Sequence, residues 1–228
     1  MSLSLYSHPL ASFCHKVLIA LYEQGTPFQA HLLDLGNPDA KAGFLDLWPV
    51  GKMPVLRDDA RDRTVPETSV IIEYLDRHYP GPHPLLPADD DARLDVRLWD
   101  RFFDLYVHAP MQKFVSDHLH AAGDKDPRGL ADAQATLATA YAMIERQAAG
   151  RVWICGDDFS LADCAAAPAL FYAAIVAPLP SQHPNLHAYY ERLMDRPSVR
   201  RTIAEARPYF PMYPFNHLIP ARFLRDDA

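Results

Sequence analysis

Proline placement constrains what this chain can fold into more than any other feature of its sequence. Proline is disfavoured in helix interiors, so long helices are expected where proline is missing. Residues 88–109 and 128–167 contain no proline, whereas four prolines fall within 80–87 and four more between 208 and 220. We predict that 80–87 is an extended linker between two regions of different structure. An ordinary surface loop is the alternative.

Short elements of both kinds are predicted before this linker. Leu3 and Leu5 alternate with serines, which is the period of a strand, and apolar residues at helical spacing follow at 13–21. Gly25 lies where that helix is expected to end, and alternation resumes at 28–32. This β-α-β order predicts two parallel strands with a right-handed crossover. Further strands are predicted at 53–56 and 64–65, before a helix that carries Val70, Ile71, Tyr74 and Leu75.

Helices are predicted throughout the region after the linker. The first apolar repeat, with a spacing of about four residues, consists of Leu94, Leu98, Phe102 and Leu105. Ser160 and Asp163 have the spacing of a capping box at a helix start, with Asp in place of the usual Glu. We therefore predict an α/β domain at 1–80, a proline-rich linker at 81–90 and an all-helical domain at 91–228.

The composition argues against several classes of partner and location. A net charge of −7 and a pI near 5.8 disfavour nucleic acid and anionic membranes as main partners. No apolar run approaches the ~18 residues that span a bilayer, and the first residues do not resemble a signal peptide. Three cysteines without a C-x-x-C pair favour a reducing cytoplasm over a disulfide framework. The eleven histidines are scattered along the chain, and we predict no metal site.

Four separated motifs give the chain a family resemblance. They lie at 5–17, 48–56, 67–75 and 159–163, and the third is similar to the family pattern E-S-x-A-I-x-x-Y-L. Together they resemble the cytosolic glutathione transferases, and the first resembles the active-site turn of bacterial, serine-type members. The resemblance implies a thioredoxin-like α/β domain that binds glutathione, followed by an all-α domain that contributes a hydrophobic substrate site.

The second motif carries the residue pair that the family uses to pair with the ligand backbone. The resemblance implies a cis bond before Pro54, which would leave the N–H and C=O of Met53 outside the sheet. Those groups would then pair with the cysteinyl backbone of glutathione. A trans proline at a strand edge is the alternative.

The third motif is expected to bind the charged ends of glutathione. A helix N-terminus offers free N–H groups to a carboxylate, and Thr68 adds a hydroxyl there. The resemblance implies that Glu67 takes the α-ammonium group of the ligand, and that Lys52 or Lys41 takes its glycyl carboxylate. A capped helix with an acidic first turn, without any ligand, is the alternative.

The group that activates the glutathione thiol is less clear from the sequence. Serine-type members place the catalytic hydroxyl two residues before a Phe, and aligning that Phe with Phe13 puts Ala11 at the catalytic position. Ser12 lies one residue later, where it either reaches the sulfur or caps the first helix. Tyr6 is the alternative, because tyrosine-type members place a catalytic phenol at the end of the first strand.

The motif continues with Cys14, His15 and Lys16. Cys14 would suggest the thiol-disulfide branch of the family, but it lies on the apolar face of the predicted helix, where a buried free cysteine is common. His15 and Lys16 either add positive potential near the site or form a solvent-facing turn.

A hydrophobic substrate site is expected between the two domains, since ligand sites favour such interfaces. Its candidate residues are Leu10, Phe13, Tyr106, Met111 and Phe114. The aromatic segment 209–215 either covers this pocket or packs against the domain interface.

The resemblance implies a detoxifying glutathione transferase, a cytoplasmic homodimer that conjugates glutathione to small hydrophobic electrophiles. Two other functions remain open. One is a glutathione-dependent isomerase, dehalogenase or disulfide reductase on the same scaffold. The other is a non-catalytic binding or regulatory protein, which Ala11 at the usual serine position keeps open.

Overall fold

A mixed β-sheet organises the N-terminal part of the computed structural model, which describes residues 2–225. Within that range the sheet has four strands, in the order β2-β1-β3-β4. The strand bounds are β1 Leu3–Ser7, β2 Gln29–Leu32, β3 Val55–Asp58 and β4 Arg63–Pro66. Strands β1 and β2 are parallel, as predicted, and the other two pairs are antiparallel.

Helix α1 (Ser12–Gln24) connects the two parallel strands and is buried on almost every side. It ends where the sequence predicted, because Gly25 takes a left-handed conformation, with φ of 61°, and its N–H bonds to the last turn. Helix α1 packs on helix α3 (Thr68–His78) and on helices α7 (Leu161–Val176) and α9 (Pro197–Ala206). This central position explains why even polar residues of α1 are buried.

The connection from β2 to β3 contains helix α2 (Pro38–Leu47) and the Met53–Pro54 bond. That bond is cis, as the resemblance implied. Pairing between β1 and β3 reaches Tyr6 and Val55, so Met53 lies just outside the ladder. After β4, helix α3 (Thr68–His78) completes the thioredoxin-like half.

The prolines at 80–87 lie in an extended segment between α3 and the next helix. Leu85 at its centre is buried, its N–H donates to Asp76 Oδ1 at 2.9 Å, and its C=O accepts from Leu161 N–H at 2.9 Å. The segment is therefore tied to both halves of the molecule. The domain boundaries at 80 and 90 remain a prediction, and Met1 and residues 226–228 lie outside the described part.

One helical run extends from Asp90 to Leu119. It consists of α4 (Asp90–Phe102), a π-helical segment (Phe103–His108) and α5 (Ala109–Leu119). The leucine repeat that predicted α4 does not face the core: Leu94 and Leu98 are 61% and 62% exposed, and only Phe102 of the repeat is buried. The spacing correctly predicted a helix, but periodicity alone does not identify what covers the apolar face.

Four α-helices follow in the part of the chain that the structure describes. They are α6 (Pro127–Gln147), α7 (Leu161–Val176), α8 (Pro184–Asp195) and α9 (Pro197–Ala206). Helix α7 is the centre of this half and is buried along nearly its whole length. The predicted capping box opens it, with Ser160 N–H donating to Asp163 Oδ2 at 2.9 Å. Three short 3-10 turns follow α9 among the described residues, at Arg207–Met212, Asn216–Leu218 and Ala221–Phe223.

Most helix-associated prolines begin a helix rather than interrupt one. Proline occupies the first turn of α2, α6, α8 and α9, where its missing N–H costs nothing. Pro110 is in the first turn of α5, but it lies inside the continuous helical run that begins at Asp90. Pro168 departs from the expectation that helices avoid interior prolines, since it lies in the middle of α7. No helix among the described residues has both the length and the apolar character that a membrane crossing requires.

Candidate glutathione site

A cavity of about 280 Å³ lies where the start of α1 meets the helical half. Its walls include Leu10, Ser12, Met53, Met111, Tyr172 and Tyr213. It therefore joins the active-site turn and the residue before Pro54 to side chains of α5, α7 and the C-terminal segment. A larger cavity of about 430 Å³ lies among arginines of α9 and the C-terminal segment, but it contains none of the predicted site residues.

Ser12 is the first residue of α1 and is 4% exposed. Its Oγ lies 2.8 Å from Nε2 of His108, the last residue of the π-helical segment, which is 3% exposed. The ring of Phe13 packs against the imidazole, with the centroids 3.8 Å apart. Burial, assisted by the charge of Lys16, lowers the pKa of His108 to about 3, so its imidazole is neutral at neutral pH.

The N-terminus of α3 presents the other predicted binding groups. Glu67 is exposed, has a positive φ of 66°, and gives α3 no side-chain cap. Thr68 is buried at the first helical position. Uncapped N–H groups in a first turn suit an anionic ligand group. Lys41 and Lys52 are exposed, and neither makes an ion pair with another described residue.

A buried ionic cluster lies beneath this helix start. Lys16 is 1% exposed, and its Nζ lies 2.5 Å from Asp100 Oδ1 and 2.9 Å from Asp104 Oδ2. Lys16 also donates to Ser69 Oγ at 3.1 Å, and Ser69 donates to Asp100 Oδ2 at 2.6 Å. Burial raises the pKa of Asp104, although Lys16 opposes the shift. The cluster joins α1 and α3 to the helical run from Asp90 to Leu119, called the long helix below, and it includes Ser69, the neighbour of Thr68.

His15 and Lys16 do not form a solvent-facing turn, which was one of the two interpretations of the sequence. His15 is buried, and its Nε2–H donates to the carbonyl of Pro9 at 2.5 Å. Burial lowers the pKa of His15 to about 4. Both residues are buried because α1 is covered by α3, α7 and α9.

The two other candidates for thiol activation lie outside the cavity. The ring of Tyr6 stacks on His31 at 4.7 Å, in a small cluster with Phe44 on the far side of β1. Cys14 is fully buried, and burial raises its pKa to about 12, so its thiol stays protonated. Ser12 is the hydroxyl that the cavity exposes to a ligand at the start of α1.

The predicted hydrophobic-site residues are only partly gathered. Leu10 and Met111 line the cavity, whereas Phe13 packs on His108, Phe114 packs against the main core and Tyr106 is 52% exposed. Tyr213, also in the wall, belongs to the aromatic segment 209–215 that was expected either to cover this pocket or to pack against the domain interface. Sequence reasoning missed Tyr172, which lines the cavity as well. Tyr172 also donates to the carbonyl of Leu10 at 3.0 Å. No local signal singled it out, because it belongs to an almost continuously apolar helix.

Comparison with known families assigns both halves of the chain. The model of the glutathione S-transferase N-terminal domain matches residues 5–83, and that of the C-terminal domain matches residues 118–192. The chain belongs to the glutathione S-transferase family. The predicted fold, a thioredoxin-like domain followed by an all-helical domain, is confirmed for this transferase-family chain.

The relatives of this transferase-family chain include proteins named as glutathione transferases and proteins named as stringent starvation proteins. A glutathione S-transferase-like protein of a Fusarium species is 30% identical over 204 residues, covering 86% of this chain and 90% of its own. A stringent starvation protein A homolog of Coxiella burnetii is 28% identical over 207 residues, covering 90% and 92%. A glutathione S-transferase structure from Methylobacillus flagellatus with glutathione bound has a TM-score of 0.80 and 26% identity, covering 88% and 98%.

Proposed function

We propose that this protein ionises the thiol of glutathione and conjugates it to small hydrophobic electrophiles. The observation that carries the proposal is the position of Ser12. It is a buried hydroxyl at the N-terminus of α1, and it faces an apolar cavity that both halves of the chain enclose.

The glutathione backbone is proposed to lie along the edge of the sheet. Met53 N–H and C=O, outside the ladder, pair with its cysteinyl residue. The first turn of α3 and Thr68 bind the γ-glutamyl carboxylate, and Glu67 accepts from the ammonium group. Lys52, with Lys41 beyond it, supplies positive charge for the glycyl carboxylate.

Ser12 then acts on the thiol. A free thiol has a pKa of about 8.5, and an apolar cavity alone would raise it further. A hydroxyl that donates to the sulfur, together with the positive end of the α1 dipole, favours the thiolate instead. The thiol proton leaves to water, and the sulfur lone pair attacks the electrophilic carbon. The leaving group departs with the bonding electron pair, or an epoxide oxygen takes a proton from water.

The electrophile is proposed to occupy the apolar side of the cavity. Leu10 and Met111 supply hydrophobic contact there, and Tyr172 and Tyr213 supply aromatic walls. A volume of about 280 Å³ suits a small aromatic compound rather than a macromolecule.

We propose that the protein works in the cytoplasm as a homodimer. Leu94 and Leu98 are exposed on consecutive turns of α4, on either side of Arg97. Arg97 forms a two-point ion pair with Glu73 of α3, and Val70, one turn before Glu73, is also exposed. An apolar stripe of this size on neighbouring helices favours burial against a second copy of the same stripe. Three free cysteines suit a reducing compartment.

A non-catalytic binding protein is the second candidate. Ala11 at the usual serine position and similarity to a stringent starvation protein A homolog favour it. A disulfide reductase is disfavoured, because the Cys14 thiol is buried and its pKa is raised to about 12.

Glutathione binding and turnover separate these candidates. We expect the protein to bind glutathione in calorimetry and to turn over an aryl halide or epoxide. Ser12→Ala should abolish most of the turnover, while Tyr6→Phe, the matched hydroxyl control, should retain it. Binding without turnover of either electrophile would favour the binding protein. Full activity in both variants would contradict the role of Ser12.

A further inference from the structure

We propose that His108 is a positioning residue that donates from Nε2–H to Ser12 Oγ and thereby directs the Ser12 hydrogen toward the glutathione sulfur. The inference rests on the proposed function of Ser12. It adds a group from the helical domain to a step that the sequence motifs place entirely in the N-terminal domain.

The geometry of the pair is well defined. Ser12 Oγ and His108 Nε2 are 2.8 Å apart, and both side chains are buried. The two residues are 96 positions apart in the sequence, Ser12 on α1 and His108 on the long helix. Packing of Phe13 against the imidazole, with centroids 3.8 Å apart, holds the ring in place.

The backbone at His108 also departs from a regular α-helix. Residues 103–108 form a π-helical segment between α4 and α5. Such segments are uncommon and are frequently found at functional sites. A π-helical turn shifts the residues that follow around the helix axis, and here it ends at the residue that reaches Ser12.

The number of hydrogens at Ser12 decides which direction the hydrogen bond takes. A serine hydroxyl has one donor hydrogen and two acceptor lone pairs. If His108 accepted from Ser12, that hydrogen would be used and none would remain for a thiolate. If Nε2–H donates to Oγ, the hydroxyl keeps its hydrogen for the sulfur. A hydrogen bond to an anion is about twice as strong as one between neutral groups, so a bound thiolate selects the second arrangement.

The charges around His108 are consistent with a neutral donor. The positive charge of Lys16 on α1 opposes protonation of the imidazole. The carboxylates on the long helix, Asp100 and Asp104, are paired with Lys16, and Asp104 also with Arg101. His108 therefore acts through its tautomer rather than through a positive charge.

Two variants separate positioning from structural support. His108→Leu removes the donor, while His108→Gln retains an N–H at a similar reach. We expect His108→Leu to raise the pKa of the thiol of bound glutathione, which ultraviolet absorbance of the thiolate measures. It should also lower kcat/KM at neutral pH by about three- to tenfold. The Kd for S-methylglutathione, which has no thiol proton, should stay unchanged. In His108→Gln, the thiol pKa and kcat/KM should lie close to those of the wild type.

The proposal and the role of Ser12 fail in different ways. If Ser12→Ala raises the thiol pKa and His108→Leu does not, His108 is structural and only this inference is overturned. If Ser12→Ala leaves the thiol pKa unchanged, the proposed role of Ser12 is overturned. In the Ser12→Ala background, His108→Leu should have no further effect.

A measurement on the unmodified protein keeps the test independent of variant folding. Nitrogen-15 spectra of the imidazole in the glutathione complex should show the proton on Nε2. A proton on Nδ1 in that complex would overturn the proposal.

Discussion

The ammonium of Lys16 lies 2.5 Å from Asp100 Oδ1, at the buried junction of the two halves of the chain. Asp104 and Ser69 also bond to this ammonium, and Arg101 is a second cation at Asp104. Lys16 is the cation paired with both buried carboxylates. Breaking a buried ion pair by removing one partner is costly, because it leaves uncompensated charge.

We therefore predict that Lys16→Met lowers the free energy of unfolding by about 3–5 kcal/mol, measured by urea titration. The triple variant Lys16→Met, Asp100→Asn, Asp104→Asn should recover much of the loss. Arg222→Gln breaks the exposed pair with Glu191 and serves as the control, with an expected cost of about 1 kcal/mol or less. A Lys16→Met variant as stable as the wild type would contradict the account of this cluster.

Asp163 is the third residue of α7 and holds together the buried capping box with the N-cap Ser160. Its carboxylate is fully buried and accepts from Ser160 N–H, Ile154 N–H and the Tyr189 hydroxyl, at 2.9, 3.1 and 2.6 Å. Asp163→Ala leaves these donors without a partner and should cost about 3 kcal/mol or more in urea denaturation.

The matched control for Asp163 is the exposed cap of α4. Asp89 accepts from Ala92 N–H at 2.8 Å, and Asp89→Ala should cost only about 1 kcal/mol. Equal losses for the two variants would show that burial does not set the value of the cap.

Acid stability should depend on His15. Its pKa is about 4 in the folded protein, against 6.5 for the unfolded chain, so only the unfolded chain takes up a proton between these values. The corresponding stability is fully present above pH 6.5 and is lost as the pH falls toward 4, by up to about 3 kcal/mol.

His15→Gln keeps a donor to Pro9 but cannot titrate. Urea titrations at several pH values should show a shallower loss of stability between pH 6.5 and 4 in this variant than in the wild type. The exposed His217→Gln is the control variant. Identical pH profiles for His15→Gln and the wild type would contradict the prediction.

The apolar stripe on α4 predicts the oligomeric state. Leu94→Asp together with Leu98→Asp should convert a dimer into a monomer in light scattering, because two charges would be buried in each copy of the interface. Leu119→Asp, at another exposed leucine, is the control and should leave the dimer intact. A wild-type monomer, or a dimer that survives both substitutions, would exclude this surface.

Local patterns made much of the fold predictable. Alternation at 3–5, the stop at Gly25 and the capping box at Ser160 depend on neighbours in sequence, and each is present in the structure. The same holds for Met53–Pro54, where the flanking residues carried the resemblance.

Long-range relationships were not predictable in the same way. Burial of Lys16 depends on carboxylates more than 80 positions away, and charged residues are ordinarily exposed. His108 has no distinctive sequence context, and its partner Ser12 is 96 residues away. The exposed face of Leu94 and Leu98 has the same spacing as a buried one, because periodicity records amphipathicity and not the covering surface.

Titration of the thiol in the glutathione complex tests the role of Ser12 most directly. A hydrogen bond to a charged group contributes about 1.5–3 kcal/mol, which corresponds to a pKa change of about one to two units. Followed by ultraviolet thiolate absorbance, the thiol pKa should lie below that of free glutathione in the wild type and rise by this amount in Ser12→Ala. Tyr6→Phe should leave it unchanged. The same thiol pKa in the wild type and in Ser12→Ala would contradict thiol activation by Ser12.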